Sequence, residues 1–147
     1  MAPVQRLRTG RSSEFFDSGG EASYLTAENK DSVSILKGQP VTPHPSGTGI
    51  IRASAADNTK NAIGLAFEDV APGFSVRIIT SGPFQMSDWT PVTGTVTLAA
   101  LAIYYLGTDL GTLVTIPPDV PGAVNQFSAR AVAPDILDIS IEPAIVL

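Results

Sequence analysis

The sequence contains no cysteine and only one histidine, and these shortages exclude several kinds of chemistry. Without cysteine there is no disulfide, no thiolate ligand for zinc or an iron–sulfur cluster, and no cysteine nucleophile. His44 stands between two prolines and cannot form a two-histidine metal site alone, and no Gly-x-Ser-x-Gly motif supplies a serine nucleophile. We therefore interpret His44 as an exposed loop residue and expect no enzymatic activity, no metal and no cofactor.

Basic residues are scarce in the second part of the chain. Residues 61–147 contain two basic side chains, Arg77 and Arg130, against eight acidic ones, and the whole chain has a net charge of −5. A basic nucleic-acid-binding face is therefore not expected in the body of the protein. Near the start, Arg6, Arg8 and Arg11 precede any acidic residue. They indicate either a solvated terminus or an arm that docks on an acidic surface.

No hydrophobic run is long enough for a membrane helix. The longest apolar-leaning stretch, "VTLAALAIYYL" (Val96 to Leu106), falls short of the roughly 20 residues that a span requires. The first residues, "MAPVQRLRTGRSSEFF", have arginines with no apolar run behind them, so a secretory signal peptide is not expected either. We expect no membrane partner.

What the sequence does contain is typical of many short strands joined by turns. The chain has 147 residues, 44% of them apolar, with 13 glycines and 12 prolines, which favours one principal all-β domain. Turn residues divide the apolar segments at intervals near ten residues. The predicted strands are a short one at Val33–Ile35, a strand start at Val41, and then Gly49–Ala53, Ala62–Phe67, Phe74–Thr80, Gly94–Leu98, Ala102–Leu106, Thr112–Ile116, Gln126–Ala133 and Ile136–Ile141.

Eight to ten such strands predict a compact antiparallel barrel or sandwich. In Phe74–Thr80 the alternation predicts one apolar face and one mixed face, as in a half-buried strand. The segment "LAALAIYY" has a competing interpretation as a short helix, because leucine and alanine favour helices.

Residues 1–32 lack a sustained period of either kind and contain a Ser-Gly-Gly break, so we predict a flexible or extended N-terminal arm before a body at 33–147. Its aromatic residues Phe15, Phe16 and Tyr24 are unusual in a solvated tail, because exposed aromatic groups often mark a contact surface. They pack either on their own domain or on a neighbour.

Other residues that chemistry might use also have plain structural interpretations. Asp and Glu at predicted turns are explained by side-chain bonds to nearby amides; these are Glu68, Asp69, Asp109, Asp119 and Asp135. A hydrolase with paired carboxylates would need one acid in an apolar cleft, which a sequence does not show. Trp89 is either packing, a sugar-stacking platform or an interface anchor.

The segment from Val33 to Ile141 resembles the small β-rich head decoration, or cement, proteins of tailed bacteriophages. The resemblance covers about three quarters of the chain. It depends on the phrases "SVSILKGQPV", "NAIGLAFEDVAPGFSVRIITSG" and "IYYLGTDLGTLVTIPPDVPGAVNQFSARAVAPDILDIS".

The resemblance implies a structural protein on the outer surface of the virion capsid, made in the host cytoplasm. Its partners would be the major capsid protein and further copies of itself, as a homotrimer that clamps neighbouring capsid subunits and stabilises the expanded head. The arm would be the capsid-binding element, through Arg6, Arg8, Arg11, Phe15, Phe16 and Tyr24.

In the hairpin "YYLGTDLGTLVTIPP", Gly107 and Gly111 would set the turn. The side chains around it would supply the domain core or the trimer seam; they are Tyr104, Leu106, Leu113, Val114 and Ile116. The alternative is a phage tail-fibre or receptor-binding module, whose carbohydrate surface would consist of Trp89, Tyr104 and Tyr105. In either role these three residues are candidates for self-association or surface contact.

Overall fold

The computed structural model describes residues 22–147, and nearly all of their regular structure is strand. One short helix, α1 (Thr90–Thr93), interrupts the strands. The strands are β1 (Ser23–Glu28), β2 (Pro40–Pro43), β3 (Ile50–Arg52), β4 (Gly64–Ala66), β5 (Ser75–Gln85), β6 (Ile103–Leu106), β7 (Leu113–Val114), β8 (Val124–Asn125), β9 (Phe127–Ala133), β10 (Ile136–Ser140) and β11 (Ile145–Val146). The predicted all-β class is confirmed.

Nine of these strands form one antiparallel sheet, which curls into a half-barrel. Its order is β3-β2-β4-β5-β10-β9-β6-β7, and β1 pairs with β5 as well. Strands β11 and β8 form a separate two-stranded sheet. The sequence left barrel and sandwich open, and the curled sheet is closer to the first.

Strand β5 joins the parts of the large sheet. Ile79 pairs with Leu65 of β4 and with Tyr24 of β1, and a residue of a sheet has one partner on each edge. The second half of β5 pairs with β10 instead. The prediction ended this strand at Thr80 because Ser-Gly-Pro follows, but pairing with β10 carries it through that sequence to Gln85.

Strand β5 contains a bulge and contributes side chains to two apolar clusters. Tyr24 pairs with Ile79 and Ser23 with Ser81, so Thr80 is an extra residue against β1. Ile78 and Ile79 are both fully buried, in different clusters, so this strand is apolar on both faces rather than on one. Beyond the bulge Phe84 joins the cluster of Ile79. Phe74, predicted on the apolar face, is 68% exposed.

The predicted strand at Ala102–Leu106 is confirmed as Ile103–Leu106, because it pairs with both β9 and β7, and the competing helical interpretation of "LAALAIYY" is overturned. Two other local predictions were wrong. Gly94–Leu98 is not a strand but follows α1 as an irregular segment. At Val33–Ile35 the structure has a single bridge, between Ile35 and Val70, in place of a strand.

The described part of the predicted arm, residues 22–32, is attached to the sheet. Strand β1 pairs with β5 along its whole length. The buried Asn29 amide donates to the Val33 and Val70 carbonyls at 3.1 and 2.9 Å. Asp31 then receives a hydrogen bond from the Arg52 side chain at 3.0 Å. An arm separate from the body therefore stays a prediction for residues 1–21, which lie outside the described residues.

Candidate functional site

A groove of about 620 Å³ lies beside β7, the last strand of the large sheet. The segment that follows α1 borders its other side. The polar part of the lining consists of Thr93, Thr95, Thr97 and Thr115. The remaining lining residues are apolar or aromatic: Leu98, Ala99, Tyr104, Leu113, Val114 and Ile116. The lining contains no charged side chain, so the groove suits an uncharged occupant.

Several hydroxyl groups of the groove are used within the protein. The Tyr104 hydroxyl accepts a hydrogen bond from the Ala99 amide at 2.9 Å. The Thr95 hydroxyl donates to the Thr97 carbonyl at 2.8 Å. These bonds fix the turn between the groove and β6, so the lining is held in place rather than left to adapt.

Three large apolar side chains are exposed at or next to the groove. Ile116, in the lining, is 80% exposed. Val96 lies between two lining threonines in the sequence and is 56% exposed, and Leu101 follows the lining residue Ala99 by two positions and is 72% exposed. We call the groove together with Val96, Leu101 and Ile116 the edge surface. Large apolar side chains exposed in a groove lining or within two residues of it are candidates for a contact site.

Leu101 is also held in an unfavourable backbone conformation. Its φ is +58°, and among the described residues it is the one non-glycine residue with positive φ. The Ala102 amide donates to the Ala99 carbonyl at 3.2 Å, which places Leu101 third in a four-residue turn. Turns with positive φ at that position favour glycine or asparagine. A strained, exposed leucine therefore points to a role outside the folding of this turn.

A second exposed apolar run lies on the small sheet. Ile145, Val146 and Leu147 are 66%, 53% and 45% exposed. The run is held by pairing of β11 with β8 and by a bond from the Leu147 amide to the Ala123 carbonyl at 2.9 Å. It is a fixed apolar strand with its side chains in solvent.

The structure buries two of the predicted surface-contact residues. Trp89 is 0% exposed and stacks edge-on against Phe84 at 5.8 Å, which agrees with the packing interpretation. Tyr104 is 3% exposed and presents little more than its bonded hydroxyl to the groove. Tyr105 is half-buried beside Phe127. These rings do not form a common stacking platform, because both Trp89 and Tyr104 belong to the core.

Tyr24 packs on its own domain, which was one of its two predicted alternatives. Its ring contacts Phe67 edge-on at 5.3 Å, and the Arg77 guanidinium lies 4.3 Å from the Phe67 centroid and 5.3 Å from that of Tyr24. This cluster adds side-chain contacts between β1, β5 and the residue that follows β4. The other predicted arm residues, Arg6, Arg8, Arg11, Phe15 and Phe16, lie outside the described residues.

Asp69 lies directly after a bend and Asp135 in a turn, as expected from the sequence, but their side chains bond residues far along the chain rather than neighbouring amides. Asp69 accepts from the Lys37 amide at 2.7 Å and Asp135 from the Gln85 side chain at 2.7 Å. His44 contacts the Ser46 hydroxyl at 2.8 Å in its own loop. Within residues 22–147 no group of three or more histidine or acidic side chains is placed to hold a metal ion. Over the same range no helix has the length and apolarity to cross a bilayer.

Of the edge surface, sequence reasoning named Ile116 as core or trimer seam and missed Val96 and Leu101. Val96 was assigned to a strand that is not present, so its exposure was not expected. Leu101 gave no signal, because nothing in "LAALAIYY" marks a turn that needs positive φ.

Comparisons with known proteins give a weak likeness to a solved structure and no match to a family or a curated protein. No protein-family model matches the chain, and no curated protein matches it. Among solved structures the chain is similar to the N base of the head fiber gp8.5 of bacteriophage phi29, with 17% sequence identity and a TM-score of 0.47. The likeness covers 83% of this chain and 95% of that one. At this TM-score and identity, no conclusion about the function of this chain follows from it.

Proposed function

We propose that this protein is a structural protein of a phage head, a decoration (cement) protein that binds the outer surface of the expanded capsid as a homotrimer. In this role it clamps neighbouring major capsid subunits and performs no catalysis. The observation that carries the structural role is the edge surface, an uncharged groove next to the exposed side chains Val96, Leu101 and Ile116. The phage head is the setting that the sequence resemblance implies.

The edge surface is better explained by a contact with another protein than by a requirement of the fold. Exposing an isoleucine at 80% and a leucine at 72% gives the isolated domain no burial energy. A left-handed leucine costs roughly 1–2 kcal/mol relative to an ordinary backbone conformation. Both features lower the stability or solubility of a single copy, and both are explained if another protein covers them.

A clamp also needs contacts at more than one place on its body. Strand β1 is bonded along its length to β5, so Ser23 has a fixed position on the sheet. Any contact that Arg6, Arg8 or Arg11 makes with a capsid subunit would therefore be linked to this fixed strand through the 11 to 16 residues that lie between each arginine and Ser23. Binding only to the expanded shell would stabilise that shell by mass action.

The test is co-sedimentation of the purified protein with phage heads that lack it, taken from a phage that encodes it. Expanded and unexpanded heads are compared at equal concentrations of capsid subunit. The proposal predicts saturable binding to expanded heads and little to unexpanded ones. Absence of binding to both would reject the decoration role.

A glycan array is added to the same test, because glycan binding distinguishes the tail-fibre alternative from the decoration role. The burial of Trp89 and Tyr104 leaves that alternative without the aromatic platform on which it was based. Glycan binding without head binding would favour a receptor-binding module.

A further inference from the structure

We infer that the edge surface binds a second copy of this chain, and that the segment it binds is the exposed apolar strand at Ile145–Leu147. This inference names the surfaces behind the self-association in the proposed function, but it does not require that the assembly bind a phage head.

The groove lies along an exposed edge of the large sheet. Strand β7 pairs with β6 at Leu113 and Val114, and within the described residues no strand pairs with its other edge. The opposite border, Gly94–Leu98, uses much of its backbone within the protein, since the Leu98 amide donates to the Pro134 carbonyl at 2.8 Å and the Val96 carbonyl accepts from the Trp89 amide at 3.0 Å. In the described part of the chain β11 pairs with β8 alone, so one of its edges is free as well. A strand that pairs with the free edge of β7 gains main-chain hydrogen bonds together with the apolar contacts of the lining.

The lining selects an uncharged apolar occupant. A charged side chain there would lose hydration without an opposite charge to replace it, since the lining has none. Among the described residues, Ile145–Leu147 is the longest run of consecutive large exposed hydrophobic side chains. None of its three side chains is charged, and its β11 backbone is already extended. The same chain therefore carries both a groove without charged side chains and a strand without charged side chains that suits it.

Such a contact joins unlike surfaces of two copies. Each copy presents one groove and one β11, so every groove in a closed ring is filled by the next copy. The contact would cover Ile116 on one side and Val146 on the other, which are 80% and 53% exposed in one chain. It also gives the strained Leu101 a partner at the border of the groove.

The test uses the absence of cysteine from the natural sequence. Two variants are made, Ile116→Cys and Val146→Cys, so that each chain has one thiol. They are mixed, allowed to exchange subunits, and treated with a short bis-maleimide crosslinker, whose span tolerates imperfect thiol geometry. Val132→Cys provides the matched control, because Val132 is 50% exposed on β9 and belongs to neither surface.

The inference predicts a crosslink between Ile116→Cys and Val146→Cys that forms at least about tenfold faster than one between Ile116→Cys and Val132→Cys, since proximity raises the effective thiol concentration. Equal rates for the two pairs would overturn it. Dominant crosslinking of Ile116→Cys to itself would also overturn it, because like surfaces would then meet. Circular dichroism of each variant confirms that the sheet is retained before rates are compared.

The result is independent of the head-binding assay. Fast crosslinking in a protein that does not bind heads would reject the decoration role and leave this inference standing. Head binding without the crosslink would support the decoration role and reject this inference.

Discussion

At the scale of single residues, Leu101 is the residue whose conformation and exposure are least explained by the stability of the fold. Its φ of +58° suits glycine better than leucine, and its side chain is 72% exposed. A residue chosen for stability of the turn would therefore not be leucine. We explain its presence by the contact that the edge surface makes.

Replacing Leu101 by glycine tests this explanation. Gly removes the left-handed strain but has a greater entropy loss on folding, so we expect the free energy of unfolding to stay unchanged or to rise by up to about 1 kcal/mol. Urea unfolding at protein concentrations where the chain is monomeric measures this free energy. Leu101→Ala is the control, because it keeps the strain and removes most of the apolar contact. A loss of more than about 1 kcal/mol in Leu101→Gly would show that the leucine side chain supports the fold instead.

The Asp31–Arg52 ion pair is a second residue-scale feature. Burial acts to raise the pKa of Asp31, but hydrogen bonds and the charge from Arg52 outweigh it and lower the pKa below its usual value. The carboxylate is therefore stabilised in the folded state. Its contribution to stability is present above the ordinary Asp pKa and is lost as the pH falls through the lower pKa of the folded protein.

Asp31→Asn should lower the free energy of unfolding by about 1–3 kcal/mol at neutral pH, because Arg52 loses a charged acceptor. The difference from the natural protein should shrink as the pH falls below about 4, where Asp31 of the unfolded natural protein becomes protonated and the variant has no carboxyl at this position to titrate. Unfolding curves across this pH range measure the difference. A difference that stays constant with pH would mean that the ion pair does not carry the effect.

At the scale of elements, β1 is the strand whose role the sequence left open. Its side chains are mostly exposed, so it lacks the buried alternation by which the other strands were found. Yet it pairs with six residues of β5, and Asn29 at its end is buried with both of its amide hydrogen bonds satisfied. Pairing partners, which a sequence does not display, decide its structure.

A pair of truncations tests the role of β1. Deleting residues 1–32 should lower the free energy of unfolding by about 3 kcal/mol or more, because it removes a strand, the buried Asn29 bonds and Asp31. Deleting residues 1–21 leaves these contacts, and we expect nearly unchanged stability. Thermal and urea unfolding compare the two. Equal stability of both truncations would contradict the placement of β1.

The same reasoning explains which elements were predictable. Strands bounded by clear turns, such as β4, β9 and β10, fall inside their predicted ranges. β5 was predicted too short, because a Ser-Gly-Pro sequence normally ends a strand and only pairing with β10 continues it. The groove was not predictable, because it arises from Gly94–Leu98 failing to pair, which depends on where α1 directs the chain.

At the scale of the whole molecule, charge separates the body from its first residues. Residues 61–147 carry eight acidic and two basic side chains, whereas Arg6, Arg8 and Arg11 lie together at the start. The proposed function assigns these arginines to the capsid, and we infer separately that the edge surface binds a second copy. The two contacts then differ in their dependence on salt, because exposed charge pairs are screened and apolar contacts are not.

Replacing Arg6, Arg8 and Arg11 together by alanine should weaken binding to expanded heads and reduce its dependence on salt, without changing the native mass. The matching lysine triple keeps the charge and should retain most of the binding. Co-sedimentation at several salt concentrations measures both variants. Head binding by the alanine triple equal to that of the natural protein would remove the arginines from the capsid contact.

The native mass, measured by light scattering on a sizing column, tests most directly whether the edge surface is a contact between proteins. The natural protein is measured over a dilution series beside Ile116→Asp, with Val132→Asp as the exposed control. We predict a mass of several chains, near three, for the natural protein and the control, and of one chain for Ile116→Asp. A mass of one chain for the natural protein at every concentration, or an unchanged assembly in Ile116→Asp, would contradict the claim.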